Sequence, residues 1–178
     1  MNSLEQLRYP IGRFRRPEQI TSKGIEYWIG QIETLPARFR NIAESLSEEQ
    51  LDTRYRPEGW TLRQVIHHVP DSHVNSYIRF KWTLTEDKPT IKAYNEVAWA
   101  ELQDYSSVPI ETSLNFLEIL HARWVPLLKS LSEQDLAKTF IHPEHGKEVA
   151  LNINIALYAW HGEHHLGHLA QTVQLNKW

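Results

Sequence analysis

Trp160-His161-Gly162-Glu163-His164-His165-Leu166-Gly167-His168 holds four of the ten histidines of the chain in nine consecutive residues. On a helix each residue advances about 100°. His161 and His165, four apart, then share a face one turn apart, and His168 falls on the same face. His164 sits to one side of it. Two imidazoles at this spacing can grip one cation without distorting the helix, which is why zinc enzymes use it. A catalytic zinc takes three protein ligands and keeps one position open. The third must come from elsewhere. The second dense cluster, Ile66-His67-His68-Val69-Pro70-Asp71-Ser72-His73, is the candidate source, with His68 at a buried-looking position.

Working outward, the helix carrying the first stretch is expected to take Asn152 as its cap and to end near Asn176. Residues 138–151 break the helical rhythm and read as a small β-hairpin, with Pro143-Glu144-His145-Gly146 at its turn. Upstream, Leu114, Leu117, Leu120, His121, Trp124, Leu127, Leu128 and Leu131 form a helical stripe opening near Pro109, with Pro126 late in it. Thr61 and Gln64 form a capping box that opens a helix running towards Glu86. Pro70 lies inside that helix, removes the hydrogen bond to the Ile66 carbonyl and should bend it. From Ser22 the positions Ile25, Trp28, Ile29, Ile32, Leu35, Phe39, Ile42 and Leu46 are helical, interrupted at Pro36. Asn95 to Leu102 reads as a short helix. Residues 1–20 read as an extended arm against the body or a neighbouring subunit, and 21–178 as one domain. The expected fold is all-α, a four-helix bundle with a short β-hairpin before the last helix. Bundle cores are where facing side chains assemble metal sites.

Composition narrows the chemistry. At 178 residues a single core is the default, and 41% hydrophobic content with seven Trp can build it. A net charge of −3 gives no global basic field for nucleic acid. Arg13, Arg15 and Arg16 read as a local solvated arm. There are no cysteines, so disulfides, thiolate ligands and cysteine nucleophiles are excluded. No apolar h-region opens the chain and no run reaches transmembrane length, so a soluble cytoplasmic protein without a membrane partner is expected.

Three neutral imidazoles leave the full charge on the metal and acidify a bound water towards a pKa of about 7. The same open position could take a substrate thiol as thiolate, so the ligands alone do not choose between hydrolysis and thiol transfer. The motif is not His-Glu-x-x-His, because Gly162 follows the first histidine. Glu163 lies about 200° around the helix from His161 and should point away from a metal held there. Asp71, one turn beyond His68, is a candidate base or a partner fixing an imidazole tautomer. Taken singly, His67, His73, His121, His142 and His145 read as core or surface residues with satisfied hydrogen bonds. Trp28, Trp60, Trp124 and Trp160 read as core packing.

Gly59-Trp60-Thr61-Leu62-Arg63-Gln64-Val65-Ile66-His67-His68, followed by His161-Gly162-Glu163-His164-His165, resembles the DinB-like superfamily. Tyr9-Pro10-Ile11-Gly12, Asp71-Ser72-His73 and Asn75-Ser76-Tyr77-Ile78-Arg79-Phe80-Lys81 resemble its YfiT-type branch of metal-dependent hydrolases. The likeness covers nearly the whole chain. It implies an antiparallel bundle with up-down-down-up connectivity and a divalent metal, zinc or nickel, held by His68, His161 and His165. It also implies a homodimer. Relatives in the superfamily attach low-molecular-weight thiols such as bacillithiol to electrophiles. Pro70 departs from the small helix former usual at that place. The first expectation is therefore a hydrolase acting on a small molecule. A thiol transferase stands second, and a metal-carrying bundle without turnover third.

Overall fold

The computed structural model describes residues 3–144 and 146–178. His145, read from the sequence into the hairpin turn, lies outside them. The chain runs through α1 (Leu4–Arg8), α2 (Ser22–Ala43), α3 (Glu48–Leu51), α4 (Leu62–Thr85), α5 (Glu96–Trp99) and α6 (Asp104–Ser107). It continues through α7 (Ile110–Lys129), α8 (Glu133–Ala137), β1 (Thr139–His142), β2 (Lys147–Ala150) and α9 (Leu151–Asn176). The four long helices α2, α4, α7 and α9 form the bundle. α2 packs against α7 and α9, and α4 packs against the same two. Helices consecutive in the chain, α2 and α4, therefore do not form one of the principal packed pairs, and neither do α7 and α9.

Local chemistry sets where the elements start. Ser47 with Gln50, Thr61 with Gln64 and Ser132 with Asp135 each form a reciprocal capping box. The last helix departs from expectation. Its N-cap is Ala150 rather than Asn152, and no side chain caps it. The hairpin caps it instead. Ala150 pairs with Thr139 across the strands, and Leu151 N–H donates to the Lys138 carbonyl at 3.0 Å. One donor of the first helical turn is thus satisfied by backbone rather than by a side chain.

The arm also differs from a purely extended reading. Leu4–Arg8 form a one-turn helix opened by a Ser3–Gln6 capping box. The segment after it lies along α9. Trp160 Nε1–H donates to the Gly12 carbonyl at 3.1 Å. Gly167 allows the approach, since a Cβ there would sit 2.9 Å from Pro10 Cγ. Gly162 does the same for α2, where a Cβ would meet Leu35 Cδ2 at 2.5 Å. Both glycines of the histidine stretch are therefore places where another segment packs on the helix backbone.

The core has two apolar halves. One gathers Ile25, Ile29, Phe80, Trp124, Leu151 and Ile155; the other gathers Phe39, Val65, Ile66, Leu117, Leu166 and Leu169. Burying each of these large side chains contributes on the order of 1.5–3 kcal/mol. A gap separates the two sets, and it holds His68, Ser72, His73 and Ser76 on α4, His121 on α7, and His161, His164 and His165 on α9. A polar layer thus crosses the waist of the bundle, and a buried polar layer persists only where its groups are satisfied.

Candidate metal centre

α4 and α9 pack side by side, and His68 and His73 of α4 meet His161 and His165 of α9 between them. Nε2 of His68 lies 3.3 Å from Nε2 of His161. The His165 ring stands 4.6 Å from that of His161 and 4.9 Å from that of His68, centroid to centroid. One nitrogen from each of the three falls within 4.8 Å of the others. The structure thus brings together the residues that sequence spacing and resemblance singled out. Two ligands about 2.05 Å from a tetrahedral centre would lie about 3.3 Å apart. The His68–His161 separation fits that geometry.

Burial keeps the rings neutral. Desolvation, followed by the neighbouring imidazoles, pushes His161 and His165 well below the usual histidine range. Desolvation, then the proximity of His164, pushes His68 down to about 4. Neutral imidazole is the form that donates a lone pair to a metal.

Which nitrogen carries that lone pair follows from the partners. α2 contains Pro36, which has no N–H, so the Ile32 carbonyl lacks its helical donor. His121 Nδ1 takes that place at 2.7 Å. A carbonyl only accepts, so His121 carries its proton on Nδ1 and accepts on Nε2. His73 Nδ1 donates to that Nε2 at 2.8 Å. His73 Nε2 is left as acceptor for His161 Nδ1–H at 3.2 Å. His161 therefore presents an unprotonated Nε2. A second chain of bonds does the same for His165. His168 Nε2–H donates to the Arg8 carbonyl at 3.2 Å, leaving His168 Nδ1 to accept from His165 Nδ1–H at 3.4 Å. His165 too is left with its lone pair on Nε2. Both chains of bonds end on main-chain carbonyls, which cannot reverse the direction of donation. Nδ1 of His68 is buried without a partner among the described residues.

A cavity of about 370 Å³ opens beside the three imidazoles. Trp60, Ser72, Arg79, Tyr94, Tyr158 and His164 are among the residues lining it. A larger groove of about 710 Å³ between α2, α7 and α8 is lined by no histidine. Trp60 packs on His68 at 4.7 Å between centroids, and Trp160 stacks on His164 at the same distance. These two Trp act at the site as well as in packing.

Asp71 is not brought to this cavity. Its Oδ2 accepts from the Tyr105 hydroxyl at 2.7 Å, and Tyr105 lines a different groove beside α6. Desolvation pushes its carboxyl upward, against the opposing pull of that hydrogen bond. Among the described residues it makes no bond to an imidazole, so neither sequence-based role for it is met. Glu163 turns outward as its helix angle requires and pairs with Arg38 through both oxygens, at 2.5 and 2.8 Å. His67 faces away and meets Ser113 Oγ at 2.7 Å. The residues that sequence reasoning missed are His73, His121 and Arg79. One signal was available: His121 interrupts an apolar stripe, and a buried imidazole needs a buried partner.

Fold and site together define a class: helical bundles that assemble a histidine cluster between two long helices beside an open cavity. The model of the DinB superfamily matches residues 31–169, and the chain belongs to that superfamily. It is 50% identical over 171 residues to an Oceanobacillus iheyensis protein named as a proposed metal-dependent hydrolase, covering 96% of this chain and 98% of the relative. A Bacillus cereus protein with the same naming is 53% identical over 175 residues, covering 98% of this chain and all of the relative (100%). Among solved structures, YfiT from Bacillus subtilis superposes with a TM-score of 0.94 at 42% identity, over 97% of this chain and 99% of that one. It is described as a probable metal-dependent hydrolase with an unusual four-helix bundle topology. The mycothiol-dependent maleylpyruvate isomerase shares the fold, with a TM-score of 0.60 at 16% identity, over 79% of this chain and 60% of that one.

Proposed function

We propose that this protein is a metal-dependent hydrolase in which His68, His161 and His165 hold one divalent cation, zinc or nickel, beside the cavity. The observation that carries the proposal is the approach of His68 and His161, two neutral rings with Nε2 atoms 3.3 Å apart. His161 offers a lone pair there, so the pair needs a shared proton or a shared cation. The donor set is all nitrogen and uncharged, which suits zinc and nickel better than magnesium or calcium. Such a cation supplies Lewis acidity and lowers the pKa of water to about 7.

The protein's own residues supply the rest. The two imidazole chains hold His161 and His165 in one tautomer each, so neither ring has to exchange a proton before binding. Trp60 and Trp160 wall the site with apolar rings, which limits water and strengthens local electrostatics. The cavity volume suits a small molecule rather than a polymer.

Thiol transfer is tested against hydrolysis in one experiment. Zinc-loaded protein is incubated with a small electrophilic ester, with and without a low-molecular-weight thiol. Hydrolysis without thiol supports the proposal; product formation only when thiol is present would replace it with the transferase reading.

A further inference from the structure

Arg79 lines the same cavity and has no counter-ion among the described residues. It lies eleven residues after His68 on α4, which brings it back to within about 20° of the same helix face. Ser72, also on that face, lines the cavity between them. Side chains on a helix lean towards its N-terminus, so a long Arg79 side chain is directed back along the face that carries His68. The residue is 8% exposed. Its side-chain hydrogen bond among the described residues runs from Nη1 to the Tyr158 hydroxyl at 3.4 Å, and Nε has no partner there. Tyr158 in turn stands 5.5 Å from His161, ring to ring.

A buried guanidinium without an anion is costly, because arginine keeps its charge in proteins. Two part-buried arginines elsewhere in the chain are paired with carboxylates, while a third, Arg56, meets the Pro57 carbonyl. Arg63 meets Asp52 and Glu48, and Arg40 meets Glu44, Glu111 and Glu118. Arg79 is surrounded instead by neutral hydroxyls and rings. Glu96 and Glu144 also line the cavity, but both are exposed and neither comes within ion-pair distance of Arg79 among the described contacts.

We infer that Arg79 is the binding site for an oxyanion group of the substrate, a carboxylate or a phosphate. The planar guanidinium fork matches either group. The Tyr158 hydroxyl lies against Arg79, and Tyr94 lines the same cavity. The substrate would then lie with its anionic end at Arg79 and its reacting bond at the imidazoles. The inference rests on the proposed metal reading only for what stands at that second end.

The test uses metal-free full-length protein, so that no cation competes for the anion. Succinate, inorganic phosphate and the neutral succinamide are titrated separately, read by calorimetry and by the Nε–H resonance of Arg79. Succinate or phosphate is expected to bind saturably and shift that resonance, and the tighter of the two identifies the group. Succinamide is expected not to bind. Arg79→Gln should weaken the anion at least tenfold while zinc affinity stays within threefold of wild type and the melting temperature does not fall. Arg79→Lys, which keeps the charge without the fork, should bind the anion at intermediate strength; it also serves if the Gln variant does not fold. Binding of neither anion, equal binding by Arg79→Gln, or equal binding of succinamide would each overturn the inference. Failure of wild-type protein to bind zinc would count against the metal reading alone.

Discussion

His121 donates through Nδ1 to the main-chain carbonyl of Ile32 at 2.7 Å, and that carbonyl is available because Pro36, four residues on, has no N–H to give it. A proline inside α2 thereby fixes the proton position of an imidazole on α7. Through His73 it fixes that of His161 on α9 as well. The helix defect and the histidine cluster are parts of one arrangement.

The first prediction concerns that chain of bonds. In His121→Phe, His73 loses its acceptor and can reverse its tautomer, which would place the His161 proton on Nε2. Zinc affinity, measured by competition with a chromophoric chelator, should fall about 10–100-fold, the usual cost of losing an outer partner of a ligand. Stoichiometry at saturating zinc should stay at one per chain. His121→Gln, which can both donate and accept, should recover part of the loss. Unchanged affinity in the Phe variant would mean that His121 does not act on His161.

A second prediction tests the arm. In Gly167→Ala the new Cβ would meet the stiff ring of Pro10 at 2.9 Å. Overpacking of this kind costs about 1–3 kcal/mol. The arm should lift from α9, releasing the Arg8 carbonyl from His168. Trypsin should then cut faster after Arg13 and Arg15 than in wild type. Equal cleavage rates would show that the arm is not held by this contact.

Stability of the metal-free protein should depend on pH in a defined direction. Burial lowers His121 to about 4, against about 6.5 in an unfolded chain. Between these values the unfolded chain binds the proton and the native protein does not, so native stability rises with pH through that window and is lost as pH falls from 6.5 towards 4. Each such imidazole contributes up to about 1.4 kcal/mol per pH unit there. Urea titrations at pH 7, 6 and 5 should show midpoints falling in that order, and less steeply in His121→Phe. A midpoint that does not move would contradict neutral burial of the ring.

Glu163→Gln separates the outer face of α9 from the inner one. The carboxylate pairs with Arg38, whose side chain is 44% exposed. Solvent screening limits that pair to under about 1 kcal/mol. Zinc stoichiometry should be unchanged and the melting temperature should drop by no more than a few degrees. Loss of the metal would place Glu163 in the coordination sphere.

Legibility of this fold in its sequence divides along range. Helical stripes and capping boxes are local, so α2, α4, α7 and their starts were legible, while α2 ends at Ala43, short of Leu46, and α7 at Lys129, short of Leu131. So was the pairing of His161 with His165, which needs only helix geometry. The start of α9 was not, because its first N–H group is satisfied by Lys138 across a hairpin rather than by Asn152 beside it. The short helix at Leu4–Arg8 has too few residues for periodicity, though its Ser3–Gln6 box was there to be read. Asp71 reads as catalytic from its distance to His68 along the helix. Its partner Tyr105 lies 34 residues away, and only the fold shows that the carboxylate faces it. The His73–His121 contact spans 48 residues and was invisible for the same reason.

Elemental analysis of tag-free protein, saturated with zinc and then desalted, tests the three-histidine centre most directly. Wild type should carry one zinc per chain, and His68→Ala, His161→Ala and His165→Ala should each carry almost none. His168→Ala should still load, more weakly, because that ring is an outer partner. Full loading of His68→Ala together with loss in His168→Ala would contradict this centre and move the cation to the neighbouring cluster of His164, His165 and His168.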